Sequence, residues 1–303
     1  MTRGDGDKTW RYGSHVDALA RFDVSKYWFW DGLSLTAQGQ VNPGHNINGF
    51  GGTLLPVNTA LKFPGIEGAD RSNLMALFLT QRFGDRVSLS LGKINALEFA
   101  RAAPLQGGGG VDTFWGNVSA PISGLTPATF HGAQLGISTK AINYSLMAYD
   151  PQDATNRPLF SDLFKNGVTV NGSATLKTSI SGLSGFYTIR AAYSTREGAD
   201  FSELIQPPGA TSGTKSGSWF VAASFQQYLV QDPSHPTRGW GLFGQIAKSD
   251  GNPNIVDWMA YFGVGGSNLI PGRPDDRFGI GYLRLGGSGA LKRELAPFLE
   301  LED

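Results

Sequence analysis

Residues 168–195 alternate in polarity so regularly that few folds can accept them. Val168, Val170, Gly172, Ala174, Leu176, Thr178 and Ile180 fall in one row, and Thr169, Asn171, Ser173, Thr175, Lys177 and Ser179 in the other. Successive side chains of a strand point to opposite faces, so this pattern predicts one apolar and one wet face. The run turns through residues 181–185, Ser-Gly-Leu-Ser-Gly, and begins again with Tyr187, Ile189, Ala191 and Tyr193 set against Thr188, Arg190, Ala192 and Ser194. Strands of soluble proteins usually run to about 5–6 residues, whereas a tilted strand crossing a bilayer needs roughly 9–11. Both arms reach the second length, and their apolar rows include Gly and Ala. That combination suits a barrel whose outward residues meet lipid and whose inward residues meet water.

Composition narrows the alternatives. The 303 residues carry 25 basic and 25 acidic side chains, a balance that argues against a nucleic-acid partner. With no Cys, a thiolate metal site, a disulfide scaffold and a cysteine nucleophile are excluded. No continuous apolar run is long enough for a transmembrane helix, and a barrel would need none. The opening stretch MTRGDGDKTWRYG lacks an apolar h-region, so no secretory signal is read from it. Asp5-Gly6-Asp7 lacks the further positions of a calcium loop, and Gly107–Gly110 is not followed by Gly-Lys-Ser/Thr. Neither a metal nor any other cofactor is expected.

Along the chain, strands are predicted at residues 15–23, 33–41, 74–83, 87–91, 130–139 and 142–149. After the long hairpin they continue at 219–226, 240–247, 256–264 and 277–285, and residues 298–301 are expected to begin one more. This makes about twelve to thirteen strands and essentially no helix, apart from a short one at 95–102. Leu74–Leu79 is apolar on both faces, so its orientation stays open. Tyr27, Trp28, Phe29 and Trp30 read either as a hydrophobic turn or as an interfacial anchor. Up to Trp240 the connections alternate short and long, as in antiparallel outer-membrane meanders. After it the rhythm blurs, because residues 249–254 are short where a long loop is expected.

Two runs carry a family resemblance. Residues 239–282, GWGLFGQIAKSDGNPNIVDWMAYFGVGGSNLIPGRPDDRFGIGY, and residues 77–100, LFLTQRFGDRVSLSLGKINALEFA, resemble the carbohydrate-selective porin family, often called the OprB family. The resemblance implies an all-β fold, an antiparallel transmembrane β-barrel of sixteen strands in the bacterial outer membrane, through which monosaccharides diffuse. Relatives carry a signal peptide and an extra strand before the position of Tyr12, and several strands beyond Asp303. The chain is therefore expected to be a single barrel domain over 1–303, truncated at both ends. Its partners would be neutral sugars and outer-membrane lipid, with homo-oligomerisation left open.

A sugar channel needs inward hydrogen-bonding groups, an aromatic surface and a constriction, with binding weak enough for release. Gln38, Gln81, Lys93, Arg101, Trp115, Arg190, Gln226 and Tyr261 are the pore-lining candidates. The irregular stretch 94–127 is the expected constriction loop, with Trp115 as a stacking surface and Lys93 or Arg101 as donors. For each, a hydrated wall or a loop-packing role is the plainer alternative. Arg273, Asp275 and Asp276, in Ile-Pro-Gly-Arg-Pro-Asp-Asp, read as a salt-bridged structural turn. Two other function classes remain at this point. A soluble β-rich binding module or adhesin explains the alternation but not the strand length. An outer-membrane hydrolase would need a base and a nucleophile, and none of His15, His45, His131 and His235 sits in a recognisable nucleophile motif.

Overall fold

A computed structural model describes residues 14, 16–26, 30–44, 72–98, 104–106, 125–206, 209, 211 and 213–299. Twelve strands form one antiparallel sheet in which each pairs with its neighbours in chain order. They are β1 (Val16–Asp23), β2 (Leu33–Val41), β3 (Ser72–Phe83), β4 (Val87–Asn95), β5 (Thr129–Ser138) and β6 (Ile142–Tyr149). There follow β7 (Thr169–Ile180), β8 (Leu183–Ser194), β9 (Ser218–Gln231), β10 (Gly239–Ser249), β11 (Val256–Ser267) and β12 (Arg277–Gly287). Among the described residues, β1 and β12 are the edges of this sheet. A small ribbon pairs Gly198–Ala199 with Thr214–Lys215.

The expected hairpin is present, with both arms at 12 residues and Thr175 opposite Thr188. Its turn is tighter than the predicted five residues. Ser181 and Gly182 alone make it, both at positive φ (+54° and +81°), which suits the right-handed twist of the flanking strands. The face assignment follows the alternation. Val170, Leu176, Ile180 and Ile189 are exposed, whereas Thr169, Asn171 and Ser194 are buried. Burial is thus inverted relative to a water-soluble sheet, with apolar rows outside and a largely polar set inside.

The same parity runs through the sheet by direct pairing. One outer row passes Tyr144, Ala174, Ile189, Ala223, Ile246 and Ala260 to Arg284. The next passes Leu176, Tyr187, Phe225, Gly244, Phe262 and Tyr282. The ambiguity in β3 comes from a bulge. Register shifts between Gln38 and Gly39, so Met75 and Ala76 are both buried while Leu74 and Leu79 face out.

Two expectations fail. Residues 298–299 close a helix, α1 (Gly289–Leu299), rather than opening a strand. Ser288 caps it, with Oγ accepting from Leu291 N at 3.1 Å. The helix expected over 95–102 is a single 3-10 turn at 96–98 within the described residues. The short connection after β10 is real. Its Asn252 accepts from Phe201 N (3.0 Å) and donates to Asp200 Oδ1 (2.7 Å), so the long connection 195–217 leans on it.

Candidate functional site

The inner face is where polar side chains converge, and one connection crosses it. After β4 the chain leaves the sheet at Asn95 and returns at Thr129. Between these points, Pro104–Gln106 forms one 3-10 turn against the inner side of β9–β11, far along the sheet from β4. Leu105 is wholly buried among Tyr228, Phe243, Met259 and Tyr261. Its N–H donates to Gln226 Oε1 at 3.2 Å, and Gln106 Nε2 donates to the Tyr261 hydroxyl at 3.3 Å. Gly265 permits the approach, because a Cβ there would stand 2.6 Å from the Leu105 carbonyl oxygen. Farther along, Leu125 packs on Ala192 and Phe220, and its carbonyl accepts from the Tyr149 hydroxyl at 3.1 Å. The connection 96–128 therefore touches the inner wall at two separate places.

Arg190 stands on this wall between the two contacts, opposite Ser173 on β7 and Ala222 on β9. It is half-buried, within electrostatic reach of the Tyr149 and Tyr261 hydroxyls, and forms no hydrogen bond or ion pair among the described residues. A guanidinium so placed offers planar donors to a hydroxylated solute. Gln226, Tyr261 and Arg190 thus come together around residues 104–106.

Gln38 sits elsewhere, on the inner face of β2. Its Nε2 donates to Asp17 (3.4 Å) and its Oε1 accepts from Asn95 Nδ2 (3.0 Å), while Gln40 Nε2 also reaches Asp17 (3.3 Å). Engaged at both ends of its amide, Gln38 is a strut of the wall. Gln81 does not line the lumen. It pairs with Leu33 in the outer row of Leu79, and Nε2 donates to the carbonyls of Asp31 and Arg82, both at 2.8 Å. It ties the β1–β2 turn to β3. Lys93 also departs from expectation. Its register partners are Leu77 and His131, which places it in the outer row of Leu89 and Leu91. It is nonetheless only 2% exposed, covered by the segment after β6. Arg101 and Trp115 lie outside the described residues.

Arg273 pairs with Asp276 (2.5 Å) inside the β11–β12 turn, and Asp275 reaches across to Arg238 in the β9–β10 turn at 2.9 Å. This cluster stands at the end of the sheet opposite the long connections. Of the histidines, His131 accepts from Phe160 N (3.4 Å) and His235 lies 3.5 Å from Asp232 in a turn, while His15 and His45 are outside the described residues. Residue-by-residue reading had not singled out Leu105, Gln106 or Tyr149. The one available signal was Tyr149 itself, an aromatic in the inward register of β6 beside Met147.

A family model described as carbohydrate-selective porin, OprB family, matches residues 7–292. The chain belongs to this porin family. The porin is also similar to a solved structure described as the high-pH structure of Pseudomonas putida OprB, with 19% identity and a TM-score of 0.78. That match covers 100% of this chain and 76% of the other. A low-pH structure of Pseudomonas putida OprB aligns at 16% identity and a TM-score of 0.48, over 91% of this chain and 70% of that one. No curated protein matches the sequence significantly. The first likeness supports the fold, a porin β-barrel architecture, and the family places the porin among carbohydrate channels of the Gram-negative outer membrane.

Proposed function

We propose that this chain passes neutral monosaccharides by diffusion through a polar lumen, narrowed where the connection 96–128 lies against β9–β11. The observation that carries the reading is the crossing itself, with Leu105 seated on four inner-wall side chains and Gln106 bonded to Tyr261. Beside it, Arg190 supplies donors with no competing partner among the described residues, while Tyr149, Tyr228 and Tyr261 are buried and anchor the connection to the wall. In the same connection, Trp115 is proposed as a stacking surface and Arg101 as a donor. Each bond to a sugar hydroxyl replaces one to water. The net gain per contact is therefore small, roughly 0.5–1.5 kcal/mol, which suits passage with release.

The test is swelling of liposomes containing the porin in its full reading frame. A neutral hexose is compared with a sugar acid of similar size. Faster swelling with the hexose, slowed when Arg190→Ala is introduced, supports the reading. Equal rates would make the channel a general diffusion pore. No swelling by inserted protein would remove the transport reading altogether.

A further inference from the structure

Lys93 and His131 face each other across β4 and β5, in rows that include Leu89 and Leu91 on one strand and Ala133, Leu135 and Ile137 on the next. Leu91 is 62% exposed, so this part of the wall meets lipid. An ammonium and an imidazole standing bare in such rows would be costly in hydrocarbon. Neither is bare, since each is only 2% exposed. The connection after β6, residues 150–167, folds down over both on the outside of the sheet.

Its underside is polar and specific. Lys93 Nζ donates to the carbonyls of Thr155 (3.4 Å) and Arg157 (3.3 Å), and His131 Nε2 accepts from Phe160 N. Arg157 lies 3.6 Å from the buried Asp150 carboxylate and also donates to Ser161 O at 2.6 Å. Asp150 in turn accepts from Phe164 N at 3.0 Å. These bonds hold Phe160, Asp162 and Phe164 in the left-handed region, where bulky residues are uncommon. The opposite side is apolar. Leu159, Phe160, Leu163 and Phe164 are all exposed, and Asp162 and Lys165 form a weak ion pair at its margin. A loop that projected into water would have no physical reason to spend four large apolar side chains on its exposed face.

We propose that residues 150–167 form a membrane-seated strap. It insulates Lys93 and His131 from hydrocarbon and inserts Leu159, Phe160, Leu163 and Phe164 into the headgroup–acyl boundary of the surrounding bilayer. The occupant of the apolar face is lipid, because that face continues the band of Leu89, Leu91 and Leu135 immediately below it. The margin of Asp162 and Lys165 stays at the headgroup level, the charged head wet and the stem apolar.

The chain has no cysteine, so one label can be placed without background. Phe160→Cys and, separately, Leu163→Cys would carry a small polarity-sensitive fluorophore on the full chain in phosphatidylcholine–phosphatidylglycerol vesicles. Ile189→Cys marks the hydrocarbon zone of the wall. The strap predicts strong quenching at 160 and 163 by lipids bearing a nitroxide near the headgroup. Quenching by a nitroxide near the chain terminus should be weaker, and by iodide weaker still. Two results would overturn it. Iodide quenching at both positions without lipid quenching means that the segment projects into water. Protection from both quenchers, with disulfide formation between copies through residue 160, means that a second copy covers the face. Because the readout is depth and not permeation, it stands apart from the outcome of the swelling experiment.

Discussion

At the scale of single residues, parity decides what a substitution does. Ile189 is 67% exposed on the lipid side, while Thr175 lies on the inner side and shares a 2.8 Å hydrogen bond with Thr188. An arginine in the middle of the lipid-facing band costs about 2–4 kcal/mol, and an inner position hydrates the same charge. Ile189→Arg is therefore expected to block assembly into the membrane and Thr175→Arg to leave it intact, as read by the fraction of folded protein after reconstitution. Normal assembly of Ile189→Arg would invert the faces. Parity also explains which candidates were legible in the sequence. Arg190, Gln226 and Tyr261 were placed by alternation inside unbroken strands, and they do stand on the inner wall. Gln81 was taken from the run that resembles the family's hairpin, and the doubly apolar Leu74–Leu79 before it gave no phase because of a bulge at Met75. Lys93 alternates cleanly with the outer row, but a lysine there looked like a lumen residue because the strap that shelters it comes from a segment more than fifty positions later.

At the scale of elements, the useful contacts are those between a connection and a strand. Gly265 leaves room for the Leu105 carbonyl, so Gly265→Ala must displace residues 104–106 or bend β11. The expected result is a changed single-channel conductance with an unchanged yield of folded protein. A conductance equal to that of the parent would mean that residues 104–106 do not set the bore. On the side of the long connections, Asp200 is held below the usual carboxylate range, chiefly by the amide of Asn252 and then by the backbone N–H of Ser202. Its anionic form is the one favoured by folding, so this stabilisation is present above the ordinary carboxylate pKa of about 3.9 and fades as pH falls through the lowered value. Amide exchange at residues 198–205 should accelerate in strong acid, and Asp200→Ala should exchange fast at neutral pH with a flatter profile. Helix α1 and the Ser181–Gly182 turn mark what the pattern of apolar residues leaves unspecified. A capped helix eleven residues long and a two-residue turn depend on local backbone geometry, which a two-residue alternation does not encode.

At the scale of the whole molecule, the sheet order was readable because alternation and loop rhythm repeat over twelve strands, each reinforcing the next. That the stretch 94–127 turns inward was an expectation, but the wall residues it meets were not readable, since nothing periodic marks where an irregular segment comes to rest. An outer surface of this kind predicts that the protein stays with membranes through an alkaline wash and leaves them only with detergent. Release by the wash alone would contradict the lipid-facing rows. The crossing of residues 104–106 also has a temporal meaning. The bond from Leu105 to Gln226 spans 121 positions and that from Gln106 to Tyr261 spans 155, whereas neighbouring strands meet through far shorter separations. Contacts closing such long loops come late, because chain entropy opposes them until their platform exists. The proposed constriction is therefore expected to form last, and a kinetic experiment on insertion should see a large, unselective conductance before the narrow one.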